Sequence, residues 1–534
     1  MSIAINLLGG LGLFLYGMNM MGDGLQKCAG DQLKKIIGFL TSNVVMGVLV
    51  GTVVTGIIQS SSATTVMVVG FVNAGIMTLS QAIGVIMGAN IGTTVTAQLV
   101  SFSLEDIAPI ALGIGIIVYL AAKKPKHKQY AEILLGFGML FTGMEFMKEA
   151  VNPLADLPQF REALIYVGTH PLLGILAGFL ITGIVQSSSA SMGMLIALAS
   201  QGILPLSAAL PILYGDNIGT CVTSLLSSLG ASKNAKRAAF MHLTFNVIGT
   251  ILFILVFTKP INMIVSYLDP NDIARQIANA HTLFNIVNVI VLLPFSKYIV
   301  KLVLRLIPVT EDEDEASDVK YIDERMIETP SIAVGNAVLE VKEMAQYATK
   351  SLEYAVNGVL NYSEEELNKT FEMEAKVNEI QKQVLSFLVK LSKVGLNEEE
   401  RNKVTNLIYA VTDIERISDH GENIAELGKT LVGDKLSFSE HAQNEIREIY
   451  TLAASNFKDS MECLEEVNLE LRKRVHENEK QVDLLEVGYR NHHLQRLNEG
   501  RCTVDAGVIY FDILTNLERV SDHCKNISDY SYDI

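Results

Sequence analysis

Charge is missing from long stretches of this sequence. Asp, Glu, Lys, Arg and His are all absent between Ile36 and Leu104, and between Ala163 and Ser232 the ionisable residues are His170 and Asp216 alone. A helix crosses a bilayer with about 20 mostly apolar residues, so each stretch can hold several membrane segments. Five further apolar blocks lie near residues 3–21, 107–122, 131–147, 238–257 and 279–304. The pattern predicts an all-α, multi-pass membrane protein.

Other absences narrow the class of protein. Tryptophan does not occur, so tyrosine must provide any aromatic anchors at the membrane surface. The five cysteines stand far apart without a CxxC pair, which argues against a disulfide framework or a thiolate zinc site. No basic residue precedes Lys27, so we expect no removable signal peptide. We find no GxSxG, P-loop or HExxH motif and expect no enzyme.

The charges that are present divide the chain in two. Up to Arg305 there are 17 Lys and Arg against 12 Asp and Glu, and beyond it 25 against 46. We therefore predict a membrane transport domain over residues 1–305, an acidic linker over 306–329 that includes EDEDEASD from Glu311, and a soluble helical domain over 330–534. Its negative charge argues against binding to nucleic acid.

The basic loops predict an orientation in the membrane. KKPKHK begins at Lys123, KNAKR begins at Lys233, and a third basic stretch covers residues 297–305. Short loops rich in Lys and Arg face the cytoplasm. We expect the protein to be integral to the cell membrane, with its C-terminal domain in the cytoplasm.

Three motifs occur twice in the first half at almost one spacing. GLGLFLYGMNMM from Gly10 matches GFGMLFTGMEFM 126 positions later, and TGIIQSSSA from Thr55 matches TGIVQSSSA 127 positions later. GANIGTT from Gly88 matches GDNIGTC, again 127 positions later. The membrane domain therefore consists of two homologous repeats, near residues 1–125 and 126–250, followed by added helices to 305.

The duplicated QSSS motif places uncharged hydrogen-bonding groups inside apolar segments. Secondary transporters bind substrate between repeats, where membrane helices break near the bilayer midplane. Hydroxyl and amide groups can satisfy the backbone at such a break and still bind a ligand. With the helix N-termini there, they form an anion site without Lys or Arg. The candidate residues are Gln59, Ser60, Ser61, Ser62 and Thr64 in the first repeat, and Gln186, Ser187, Ser188 and Ser189 in the second.

The GxNIGT motifs predict a second polar layer and one unusual carboxylate. The layer contains Asn90, Thr93, Thr94, Asn217 and Thr220. Asp216 stands where the first repeat has an alanine, and an ionisable group in a membrane segment indicates function by default. Asp216 is a candidate ligand for a coupling cation such as sodium or a candidate proton carrier, or alternatively a cap at a helix end among lipid headgroups. Similarly, QSSS could merely pack helices closely, as small residues do in membrane bundles.

The C-terminal half contains its own repeat. DIERISDHGENI from Asp413 matches NLERVSDHCKNI 103 positions later, and each copy has two carboxylates at i and i+4 on one helix face. Like-charged pairs at this spacing are unfavourable unless a cation lies between them. Surface helices can also carry such pairs by chance. The candidate ligands for a divalent or iron-type metal ion are Glu374, Glu415, Asp419, Glu479, Asp483, Glu518 and Asp522.

Residues 1–305 resemble the sodium/phosphate cotransporters related to the animal type II carriers, through GLxLFLxGM, TGxxQSSSA and GxNIGT. The resemblance implies inverted repeats, phosphate among the QSSS residues and sodium ions nearby. Residues 330–534 resemble the PhoU family of phosphate-responsive regulators, which implies two three-helix bundles with E/DxxxD metal motifs. Asn378 departs from that motif, because it follows Glu374 where a carboxylate is expected.

These observations favour sodium-dependent transport of inorganic phosphate, with a regulatory domain that senses phosphate, contacts a protein partner or self-associates. A carrier of the same kind could instead export phosphate when the cell holds an excess, because a coupled carrier runs in the direction that its gradients dictate. A third alternative is a membrane-anchored signalling protein without transport activity. The polar motifs in both repeats argue against this alternative, since an anchor needs no polar centre.

Overall fold

The computed structural model describes residues 2–38, 43–102, 104–308, 319–465 and 468–530. Every regular element within these ranges is helical, as the sequence predicts. The chain forms two compact units, one comprising Met1–Glu315 with Asp323–Ile332 and the other Ala316–Ile322 with Ala333–Ile534. The acidic stretch that begins at Glu311 lies outside the described residues.

Among the described residues, fifteen α-helices belong to the first unit. They are α1 Ser2–Gly38, α2 Val44–Ile58, α3 Ser61–Asn73, α4 Leu79–Ser101, α5 Ala108–Ala121, α6 Pro125–Val151, α7 Pro158–Thr169, α8 Pro171–Val185, α9 Ser188–Ser200, α10 Leu206–Gly219, α11 Cys221–Ser227, α12 Lys233–Leu252, α13 Thr258–Leu268, α14 Ile273–Leu292 and α15 Ser296–Leu306. Short 3₁₀ turns cover Asn152–Asp156, Leu293–Phe295 and Glu324–Glu328, and a π-helical turn covers Phe253–Phe257.

Five stretches of helix among the described residues are long and apolar enough to cross a membrane. They are Ile3–Ala29, Leu79–Ser101, Lys126–Leu154, Lys233–Leu268 and Ile273–Leu306. A sixth candidate is the pair Glu162–Thr169 and Pro171–Val185, which bends by 109° at its junction. The helices on either side of each QSSS motif are too short to cross alone, as expected for helices that break partway.

Glycines bring equivalent helices into backbone contact in both repeats. A Cβ atom added to Gly88 of α4 would overlap the carbonyl oxygen of Val48 in α2. At the matching position, a Cβ on Gly215 of α10 would overlap the carbonyl oxygen of Ile175 in α8. Only a residue without a side chain permits this approach. Both glycines belong to the duplicated GxNIGT motif, whose first residue therefore has a packing role.

In the part of the second unit that the structure describes, there are six long helices. They are α16 Pro330–Asn361, α17 Glu364–Leu391, α18 Glu398–Gly433, α19 Glu440–Glu465, α20 Leu469–Asn498 and α21 Val504–Tyr530. Gly428 of α18 packs against Val359 of α16 and Leu367 of α17, so these three helices pack together. The helices α19, α20 and α21 pack on one another, and α18 packs against α21. This arrangement places the two copies of the ERxSDHxxNI motif on adjoining helices.

Candidate functional site

Each QSSS motif interrupts a helix at the same place. Gln59 ends α2 with φ of 59°, and Gln186 ends α8 with φ of 56°. Both values lie in the left-handed region of backbone conformation, which residues other than glycine rarely adopt. Ser60 and Ser187 then cap the N-termini of α3 and α9. Their hydroxyls accept the backbone N–H of the third residue that follows, at 3.1 and 3.2 Å. Two helix N-termini, each with unpaired N–H groups and a positive dipole end, therefore follow the two motifs.

Hydroxyl pairs behind the breaks also repeat in register. Thr55 Oγ1 donates to Thr64 Oγ1 at 2.9 Å, and 127 positions later Thr182 Oγ1 lies 2.8 Å from Ser191 Oγ. Each pair joins the helix before the break to the helix after it. Thr64, a predicted binding residue, thus has a structural role in stabilising the break.

The two motifs meet at one cavity of about 380 Å³. Its lining includes most of the predicted anion-binding residues of both repeats, namely Gln59, Ser60, Ser61, Ser62, Gln186, Ser187, Ser188 and Ser189. A hydrogen bond of 3.2 Å from Thr223 of α11 to Ser62 also joins the repeats directly. The structure therefore brings together residues that are more than 120 positions apart in the sequence.

The cavity has polar residues that the sequence analysis missed. Asn19, Asp23 and Gln26 of α1 line it, and their spacing of four and three residues places them on one helix face. Gln26 is 8% exposed, and its amide nitrogen has no hydrogen-bond partner among the described residues. A polar stripe at helical spacing in an otherwise apolar helix was the available signal. Glu328, from the region predicted as a linker, also lines the cavity.

The electrostatics of this cavity are unusual for an anion site. Within the described part of the chain, its lining contains two carboxylates, Asp23 and Glu328, and neither Lys, Arg nor His. Lys27, one turn from Asp23, forms an ion pair with Glu132 at 3.0 Å. Hydroxyls, amides and helix N-termini must therefore provide the favourable contacts to an anion, and mobile cations must balance its charge.

The two motif glutamines differ in their surroundings. Thr96 donates to Gln59 Oε1 at 2.8 Å, and Gln59 Nε2 donates to the carbonyl of Gly56. Gln59 is 7% exposed. Its hydrogen bond with Thr96 joins the end of α2 to α4. Gln186 is exposed and lines the cavity. Equivalent positions in the sequence thus have different contacts in the structure.

The predicted second polar layer does not line this cavity. Its side chains are buried and donate to carbonyls of their own helix, Asn90 to Ile86, Thr93 to Ala89, Thr94 to Ile91, Asn217 to Leu213 and Thr220 to Asp216. These bonds satisfy polar groups inside the membrane domain. The layer therefore satisfies its own polar groups within α4 and α10.

Asp216 is completely buried in α10. One of its carboxylate oxygens accepts a hydrogen bond from Thr182, and the other has no partner among the described residues. Ala89 occupies the equivalent position of the first repeat. A buried carboxylate with an unpaired oxygen is unfavourable unless a proton or a cation compensates it. Asp216, Thr182 and Ser191 together offer three oxygen ligands.

In the second unit, three of the predicted metal ligands lie together. Glu479 and Asp483 of α20 and Asp522 of α21 have carboxylate oxygens within 4.8 Å of one another. Burial raises the pKa of Asp483 above its ordinary value, and its two acidic neighbours raise it further. Lys525 donates to Glu479 at 2.7 Å. A hard divalent cation fits this oxygen-only set. Glu518, also predicted, lies one turn from Asp522.

The first copy of the carboxylate motif is organised differently. Glu374 of α17 accepts a hydrogen bond from the Asn378 amide, so an amide occupies the place of the expected second carboxylate. Glu415 and Asp419 of α18 complete the predicted set, and burial raises the pKa of both. Among the described residues, the carboxylates close enough to share an ion are Glu479, Asp483 and Asp522, which belong to the second copy.

Comparisons with known proteins match both halves of the chain. The family model for the Na+/Pi-cotransporter matches twice, at residues 13–149 and 150–269. The PhoU domain model also matches twice, at residues 341–428 and 446–531. The duplication of each half, inferred above from motif spacing, is confirmed.

The relatives cover different shares of this chain. Uncharacterized protein YqeW of Bacillus subtilis is 33% identical over 55% of this chain and 95% of its own length. A Salmonella typhimurium protein named "Putative inorganic phosphate export protein YjbB" is 23% identical over 97% of this chain and 95% of its own. Sodium-dependent phosphate transport protein 2A of Rattus norvegicus is 40% identical over 18% of this chain and 15% of its own.

No solved structure matches this chain. The double match to each family model, together with the 33% identity along YqeW, confirms the resemblance in both halves. The chain belongs to the Na+/Pi-cotransporter family and carries a C-terminal pair of PhoU domains.

Proposed function

We propose that this protein is a sodium-coupled transporter of inorganic phosphate, which binds phosphate in the QSSS cavity. The observation that carries the proposal is the meeting of two helix breaks, six serines and two glutamines at one cavity without a basic side chain. Serine hydroxyls and helix N-termini are donors, as phosphate oxygens require. The predicted inversion of the repeats would make the two breaks face each other across the bilayer midplane.

The charge of the cavity supports coupling to a cation. Phosphate is an anion, and Asp23 and Glu328 already place negative charge at the lining. Binding phosphate alone would therefore be strongly unfavourable in a membrane. Sodium ions that enter with phosphate would neutralise this charge. Hydroxyl and carboxylate oxygens are suitable ligands for sodium, as for other hard cations.

We assign one cation site to Asp216. Its unpaired carboxylate oxygen lies behind the second break, beside the hydroxyls of Thr182 and Ser191. A cation bound there would compensate the buried charge and hold α8, α9 and α10 together. Cation binding would in this way favour the arrangement of the second break that binds phosphate.

The PhoU domains would act as a regulatory module in the cytoplasm, as the basic loops predict. The Glu479, Asp483 and Asp522 carboxylates would hold a divalent metal ion there. When bound, the ion would join α20 to α21. The state of this region would then influence how readily the carrier turns over.

Export of phosphate is a second candidate for the physiological direction. The relatives that align along 97% of this chain are named as phosphate export proteins. The same cavity serves either direction, since the ion gradients decide which way a coupled carrier runs. A signalling protein without transport remains the third candidate.

The direct test is phosphate flux into proteoliposomes under imposed sodium gradients. We expect flux that follows the sodium gradient in wild type and falls at least tenfold in Gln186→Ala, because the substitution removes an amide from the cavity. Asn498→Asp, an exposed change in α20, serves as the control. Folded protein that shows no phosphate flux under any gradient would contradict the proposal and favour the signalling candidate.

A further inference from the structure

A short segment from the predicted linker packs against the membrane unit. Asp323 accepts the backbone N–H of Arg325 at 2.9 Å and caps the 3₁₀ turn Glu324–Glu328. Met326 and Thr329 are completely buried. The segment Asp323–Thr329, which we call the latch, therefore has a defined docked structure.

The latch is held by helix ends from both repeats. Asn73, at the end of α3, donates to Asp323 at 2.7 Å and accepts the backbone N–H of Ser232, the cap of α12, at 2.8 Å. Arg325 donates to the carbonyl of Ser227, the last residue of α11, at 2.7 Å. A cation favours such a helix C-terminus. The latch thus joins α3 of the first repeat to α11 of the second, and Asn73 itself binds the cap of α12.

An apolar contact completes the docking surface. The side chain of Met326 packs on Gly70 of α3, where an added Cβ would lie 3.3 Å from Met326 Cγ. Arg325 also pairs with Asp323 at 2.6 Å, so the two charged side chains that bind the helix ends also bind each other. The docked segment therefore combines one buried apolar side chain with an ion pair.

The elements that hold the latch also contact the phosphate cavity. The 13 residues of α3 begin at the first QSSS motif and end at Asn73, a distance of about 20 Å along one rigid helix. In α11, Thr223 donates to Ser62, and Ser227 accepts from Arg325. The latch itself places Glu328 at the cavity lining. Docking and cavity geometry are therefore linked through two helices and one side chain.

We propose that the latch is an autoinhibitory contact, which closes the QSSS cavity on its own side and places the Glu328 carboxylate against entering phosphate. Release of the latch separates the ends of α3 and α11 and opens the cavity on that side. The proposal rests on the proposed transport function. The latch continues directly into α16, so a change in the PhoU region that pulls on α16 releases it.

The test uses full-length protein and the variant Asn73→Asp, which places a second carboxylate beside Asp323 with almost no change in size. Hydrogen exchange at residues 323–329 reports docking without reference to transport. We expect faster exchange in the latch and an initial phosphate flux raised about fivefold or more, within the usual range of coupling between sites. Asn498→Asp makes the same chemical change on an exposed helix end and should alter neither.

A second variant, Arg325→Gln, removes the contact to α11 without adding charge, and we expect the same two changes. Faster exchange with unchanged flux would overturn the latch while leaving transport intact. Unchanged exchange in both variants would show that these contacts do not hold the segment, and would also overturn it. If neither wild type nor the variants transport phosphate, the proposed function itself fails, and the latch fails with it.

Discussion

Single side chains in the two repeats have diverged while the backbone has kept its register. Gln59 and Gln186 share a left-handed backbone and both line the cavity, yet Gln59 is buried and bonds to Thr96 and Gly56, whereas Gln186 is exposed. Asp216 similarly stands opposite an alanine. Equivalent positions in the two repeats therefore differ in their side-chain contacts, although both breaks are stabilised in the same way and both line the cavity.

The two glutamines should respond differently to alanine. Gln59→Ala leaves the Thr96 hydroxyl and the Gly56 carbonyl without partners, which costs about 1–3 kcal/mol of stability. We expect a lower thermal midpoint together with reduced flux. Gln186→Ala should reduce phosphate affinity with little change in the midpoint. Strain from the left-handed backbone cancels between the variants, because both positions share it. Equal midpoints would contradict the structural role of Gln59.

Asp216→Asn tests the proposed cation site. The substitution keeps the size and the bond to Thr182 but removes the charge that would attract a cation. We expect the sodium concentration for half-maximal flux to rise about tenfold or more, a change of about 1.4 kcal/mol. Asp106→Asn, which changes an exposed carboxylate, provides the control. Unchanged sodium dependence would remove Asp216 from the mechanism.

Individual helices are positioned by contacts that tolerate no added volume. The duplicated glycines of α4 and α10 lie against the backbone of α2 and α8, so each GxNIGT motif fixes the helix that precedes a break. The polar stripe of α1 lies at a third side of the same cavity. The geometry of the site therefore depends on helix packing as much as on the motif residues.

Alanine at these glycines should separate the helices. Gly88→Ala and Gly215→Ala would each force a Cβ into a carbonyl oxygen, and we expect a loss of about 1–3 kcal/mol of stability. Gly12→Ala in α1 is the matched control, since an added Cβ there meets no atom within 4 Å. Thermal unfolding in detergent measures the difference. Variants as stable as the control would refute the close packing.

The chain as a whole links a membrane unit to a helical region. Among the described residues of that region, one cluster of carboxylates, Glu479, Asp483 and Asp522, could share a metal ion. Burial raises the pKa of Asp483 and the carboxylates of Glu479 and Asp522 raise it further, so without a cation this group destabilises the folded region as pH rises through that pKa. A divalent ion should relieve the repulsion. We expect Mn²⁺ to raise the thermal midpoint of the full chain, more at pH 8 than at pH 5.5, because protons compete for the ligands.

The control for this metal effect is Asp483→Asn, which should abolish most of the shift. Asn378→Asp should add a second metal-dependent increment, since it supplies the carboxylate that the first motif lacks. Isothermal titration of the metal gives the stoichiometry directly. An equal shift in wild type and Asp483→Asn would place the ion elsewhere.

Much of the architecture follows from the sequence, because charge-free length predicts membrane helices and motif spacing predicts repeats. The QSSS motifs indicated where the helices break, because a break in a membrane helix requires polar side chains that satisfy the freed backbone groups. The contributions of Asn19, Asp23 and Gln26 depend on tertiary packing, which brings α1 against the breaks. The sequence predicted the latch as part of a linker because the segment is rich in acidic residues. The contacts that dock it come from the buried Met326 and from Arg325, which bonds to a helix end.

The lone carboxylate at position 216 also has an electrical consequence. If it is ionised when the carrier is empty, it adds a negative charge inside the membrane domain, and Ala89 at the equivalent position of the first repeat adds none. Moving one elementary charge through 100 mV changes the free energy by about 2.3 kcal/mol. The return of the empty carrier would then depend on membrane voltage in part through this carboxylate, and Asp216→Asn would weaken that dependence.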